Sequence, residues 1–122
     1  MIREAYVSFE VAKLLKERGF VESCYGSYSV RSKEFHLDTT RPCNNGGNFL
    51  YCAPTHQMAM AWLRTKHIII VVQPEYFNAD GTCSYWGVDI WVDDNYEKLQ
   101  GDFPTYEEAV EAALKYCLEN LI

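Results

Sequence analysis

Residues 68–72 read Ile-Ile-Ile-Val-Val, five β-branched side chains in a row with no polar residue among them. No other segment constrains the fold as strongly. β-Branched residues are stiff at χ1 and suit a pleated sheet better than a helix. Pro74 follows, so the segment from about His67 to Gln73 reads as a short buried strand. A membrane span takes about 20 apolar residues, far more than this run supplies. The stretch "SYWGVDIWV", 84–92, alternates, with Trp86, Val88, Ile90 and Val92 on one side and Tyr85, Asp89 and Trp91 on the other. Asn78-Ala79-Asp80-Gly81 joins the two strands by a short turn, which implies antiparallel pairing.

Further strands follow from the same signals. "CYGSYSV" and "EFHLD" flank Arg31-Ser32-Lys33 and predict a hairpin, and "YEKLQGDF" is placed to pair with 84–92 across the Asp93-Asp94-Asn95 turn. Three segments predict helices, and each opens on a hydroxyl residue with alanine four positions later: Ser8, Thr55 and Thr105. Such a hydroxyl accepts a hydrogen bond from an orphan N–H of the first turn. Thr105 with Glu108 also has the spacing of a capping box. The first helix is expected over about 9–18 and to end at Gly19, with Phe20 folding back onto Val11, Ala12 and Leu15. The middle helix, about 56–66, is apolar on most sides and is expected to be the most buried. In the third, Tyr106, Ala109, Val110, Ala113, Cys117 and Leu121 form the apolar stripe, and Glu107, Glu108, Glu111, Lys115 and Glu119 take the other side. Residues 39–48, "TTRPCNNGGN", predict a mobile loop.

The order helix, two strands, helix, two or three strands, helix predicts an α+β fold: two layers, a mainly antiparallel sheet of about four to five strands, and three helices. At 122 residues the chain has room for one domain, 1–122. Lys and Arg number 11 against 17 Asp and Glu, a formal charge of −6, and no basic residues form a run. Phosphate-backbone binding draws on clustered cations, so direct nucleic-acid binding is not expected. The N-terminal stretch lacks the apolar core of a signal peptide, and the expected location is the cytoplasm, with no membrane contact. Five cysteines, an odd and scattered set, are expected there as free thiols.

"YVSFEVAKLLKERGF", "CAPTHQMAMAWLR" and "TYEEAVEAALKYCLENLI" together resemble a family of small uncharacterised proteins from gut-bacterial phages, prophages and mobile elements. The resemblance covers the two ends and the middle helix. It implies a phage or mobile-element setting and carries over no catalytic residue.

One cluster invites a chemical reading. Cys52 and His56 stand four residues apart at a helix start, and Cys43 adds a third possible ligand, with His36 or His67 as a fourth. Structural zinc sites show tighter ligand pairs than this. A thiol at a helix N-terminus is activated, yet no residue to orient the histidine is visible nearby. A buried cysteine more often serves as a small apolar side chain. No catalytic residue, metal or cofactor is assigned, and Asp93-Asp94-Asn95 is explained by turn chemistry.

The second candidate is a surface. If helices cover the face bearing Val88 and Ile90, then Ile69, Val71, Tyr85 and Trp91 face the other way, where a wet antiparallel sheet should be polar. Together they offer an apolar patch on the order of 500 Å². A protein partner or a second copy of the chain is expected there. The favoured function is therefore a non-enzymatic protein-interaction module or accessory factor of a mobile element. A small Cys/His-dependent enzyme or metal-binding protein, and an acidic antitoxin-like or anti-restriction inhibitor, stand as alternatives.

Overall fold

The computed structural model describes residues 2–122. In chain order the elements are α1 (Phe9–Glu17), β1 (Gly26–Ser29), β2 (Phe35–Leu37), β3 (Leu50–Ala53), α2 (His56–Arg64), β4 (Ile68–Phe77), β5 (Cys83–Val92), β6 (Asn95–Phe103) and α3 (Tyr106–Asn120). The fold is α+β and antiparallel, as the alternation implies. It differs from expectation in carrying six strands in two separate three-stranded sheets, ordered β2-β1-β3 and β4-β5-β6. The additional strand is β3, four residues that pair only with β1. It lies between an Asn/Gly-rich loop and a helix start, and four residues are too few for alternation to register.

All three hydroxyl caps form. Ser8, Thr55 and Thr105 accept from the backbone N–H groups of Val11, Met58 and Glu108 at 3.2, 3.2 and 3.1 Å. Gly19 closes α1 at φ +91°, a backbone conformation that glycine adopts without a Cβ penalty. Phe20 is fully buried beyond it and meets Trp62 edge-on, ring centroids 5.4 Å apart. As expected, α2 buries the largest share of its residues of the three helices.

The helices divide their work. α2 and α3 pack on the β4-β5-β6 sheet, whereas α1 packs on β1, β3 and α3. Ile68, Val88 and Ile90 are buried on the helix side. One hydrophobic cluster nonetheless runs through both halves, from Val7 and Leu15 to Ile90 and Leu118.

One expectation, that all five cysteines are free thiols, is overturned. Segment 39–48 has no regular structure but is tied at several points. The Lys16 ammonium donates to the carbonyl of Gly47, and the Asn45 amide donates to Phe20 O at 2.9 Å. Cys24 and Cys43 exchange backbone hydrogen bonds of 2.9 and 2.7 Å. Cys43 and Cys52 are joined in a disulfide, Cα atoms 5.6 Å apart, which leaves three free cysteines, Cys24, Cys83 and Cys117. The physical reason is that β3 runs back beside the loop, a proximity that a sequence separation of 9 alone does not reveal.

Candidate functional site

The starts of α1 and α2 meet because the N-terminal segment runs antiparallel to the approach to α2. Val7 N–H donates to Pro54 O at 3.0 Å and His56 N–H to Ala5 O at 2.8 Å, with Tyr6 bridged to Thr55. Into this junction α3 sends Glu111. Its Oε1 accepts from Ser8 N–H at 2.8 Å and lies 2.9 Å from His56 Nε2. The histidine is buried, 5% exposed. Tyr28, from β1, closes the junction by donating to Val7 O at 2.7 Å. Burial, then the charge of Glu111, raises its pKa above the ordinary phenol value. The carboxylate also sits where the N-terminal dipole of α1 favours negative charge. Glu111 was expected on the outer side of α3; it instead ties three helices together.

The hydroxyls at this junction, those of Ser8 and Thr55, accept the capping bonds of α1 and α2. Cys52 is fully buried and its sulfur is bonded to Cys43, so neither is a thiolate in this state. The structure thus brings Cys43 and Cys52 together but gives His56 to Glu111. Cys24 stands beside Cys43, and burial pushes its thiol up to about 11. Among the described residues no group of three His, Cys, Asp or Glu side chains is arranged to hold a metal ion. A shallow cleft of about 400 Å³ opens beside His56, lined by Tyr6, Ser8, Glu107, Glu108 and Glu111.

The second candidate has a definite geometry. Register places Ile69 opposite Trp91 and Trp91 opposite Tyr96, while Val71 lies opposite Asp89 and Asp89 opposite Lys98. These rows occupy the face away from α2 and α3. Trp91 stacks on Tyr96 with centroids 4.8 Å apart, a residue that the alternation argument had not singled out. Ile69, Val71, Trp91 and Tyr96 are 46, 37, 36 and 60% exposed. Tyr85 lies further along β5, half-buried and stacked on Tyr76 at 6.2 Å. Between the two aromatic groups the face is polar. Gln73 donates to Asp89 at 3.2 Å, and Glu75 reaches Lys98 across the bare backbone of Gly87. A Cβ on Gly87 would lie 1.9 Å from Glu75 Oε1, so glycine makes room for that ion pair.

No helix of the described residues is long and apolar enough to cross a membrane. Comparison with family models, with curated proteins and with solved structures finds no match. What the fold and the two sites define is an α+β chain with one internally satisfied polar junction and one open aromatic sheet face.

Proposed function

We propose that this chain is a non-enzymatic protein-interaction module, and that it docks its partner on the open face of the β4-β5-β6 sheet around Trp91. The observation that carries the reading is the exposed row Ile69, Trp91, Tyr96, on a sheet whose other face already packs against two helices. Aromatic residues at the centre of a patch are the usual anchors of protein recognition. Charge describes the partner further. Asp89, Asp93 and Asp94 border the aromatic pair, and the one lysine among them, Lys98, is already paired with Glu75. The complementary surface is apolar at its centre and basic at its rim, and its association slows and weakens as salt rises. The resemblance of the chain's ends and middle helix to mobile-element proteins supports a role as an accessory factor acting on a host protein.

The test is Trp91→Glu compared with wild type in affinity capture from a bacterial host lysate, with circular dichroism on both. A basic-rimmed partner retained by the wild type and lost by a folded variant is the expected outcome. A variant that unfolds, or that retains the same partners, overturns the assignment of this face.

A further inference from the structure

β4 has the sequence of a central strand but occupies an edge. Strands buried on both faces read as continuous aliphatic runs, whereas edge strands are normally blunted by charge, proline or a bulge. Here β4 is the outermost strand of its sheet, yet residues 68–72 carry neither charge nor proline. The blunting begins only at Pro74, where the register to β5 also shifts. On the open side Ile69 and Val71 are exposed. On the helix side Ile70 and Val72 are only half-buried, so α2 leaves the outer margin of the strand uncovered.

The phase of the ladder shows which backbone groups are free. Asp93 N–H donates to His67 O, and residue pairs in an antiparallel ladder alternate between bonded and non-bonded. His67, Ile69 and Val71 therefore direct their N–H and C=O towards β5. Ile68, Ile70 and Val72 direct theirs outward, and among the described residues nothing receives them.

We infer that this edge pairs with β4 of a second copy, antiparallel about a two-fold axis at Ile70, making one six-stranded sheet. Ile70 then faces Ile70 of the second copy and Ile68 faces Val72, giving roughly six backbone hydrogen bonds. Ile69 packs beside Val71 of the other copy, apolar against apolar. Pairing of a patch with itself is the isologous contact that closes a dimer. A strand without charge suits it, because no like charges meet at the seam. Away from the seam each chain carries −6, so added salt strengthens the dimer. Area favours the same occupant. One copy offers an open face whose apolar residues Ile69, Val71, Trp91 and Tyr96 are only 36–60% exposed, short of the ~800 Å² per partner of a standard interface. The two-fold leaves both open faces on the same side and joins them into one larger face. That consequence rests on the docking reading above, whereas the edge pairing does not.

Sedimentation velocity over a concentration series, at low and high salt, tests the pairing. The wild type is expected to pass from one chain to two with concentration, and to do so more readily at high salt. Val71→Lys should raise the dissociation constant about tenfold or more while circular dichroism stays unchanged, as a charge at an edge seam does. Trp91→Glu, one strand further in, should leave the dimer intact. Hydrogen exchange on the wild type gives a reading that needs no variant: the amides of Ile68, Ile70 and Val72 should slow as the dimer fills. A wild type that stays monomeric to millimolar concentration overturns the inference. So does a dimer that Trp91→Glu breaks and Val71→Lys does not, or one in which those three amides exchange at the monomer's rate. None of these results touches the capture of a partner by Trp91, so the two proposals fail separately.

Discussion

Glu111 Oε1 lies 2.9 Å from His56 Nε2 and 2.8 Å from Ser8 N, so one carboxylate oxygen joins the starts of α1 and α2 to the body of α3. The pair is 55 residues apart in the chain. Removing Glu111 leaves the Ser8 N–H and the buried His56 ring without their acceptor, which costs about 1–3 kcal/mol. Glu111→Ala should lower the urea midpoint accordingly, and Glu111→Gln, which keeps an acceptor oxygen, should lower it less. Equal losses for both variants would show that packing rather than the hydrogen bonds carries the effect.

The Cys43–Cys52 bond closes a loop of sequence separation 9. On the chain-entropy account a loop of this length is worth about 2–3 kcal/mol. Reduction, or Cys43→Ser with Cys52→Ser, should lower stability by that amount without abolishing the fold. Denaturation without reductant should expose three thiols and denaturation with reductant five. In the folded protein Cys117, pushed up to about 12 by burial, and Cys24 should resist alkylation. Five thiols before reduction would show that the bond does not form.

Trp62 is 9% exposed and packs on Phe20, whereas the Thr105 hydroxyl makes a single capping bond. Trp62→Ala should cost about 3–5 kcal/mol, and Thr105→Ala about 1 kcal/mol. Denaturation curves that shift equally would contradict the burial of Trp62.

Glu75 is held below the usual carboxylate range, chiefly by its hydrogen bond to Lys98. A folded-state pKa below the ordinary value of 4.5 contributes stability above that pH, and the contribution is lost as the pH falls through the folded value. Gly87→Ala pushes the carboxylate aside and removes this component. The stability gap between wild type and variant should therefore narrow below about pH 4.5. In an NMR titration the Glu75 carboxyl of the variant should move up towards the ordinary range. An unchanged titration would show that Glu75 does not cross Gly87 in solution.

The features legible before any folding lie within one or two turns of chain. Ser8, Thr55 and Thr105 cap helices through groups three residues away, and Gly19 ends α1 through its own φ. The alternation along 84–92 assigns Trp91 and Val88 to opposite faces before any neighbour is known, since strand geometry is itself periodic. The remaining features come from long-range packing. β3 exists because β1 offers it a partner more than twenty residues upstream. Cys43 meets Cys52 because that strand turns back on the loop. Glu111 finds His56 because the starts of α1 and α2 converge on the body of α3. None of these relations leaves a local periodicity to read. Helix caps and strand faces are set by short-range geometry, whereas sheet membership, the disulfide and the His56–Glu111 pair depend on distances that only packing of the whole chain establishes.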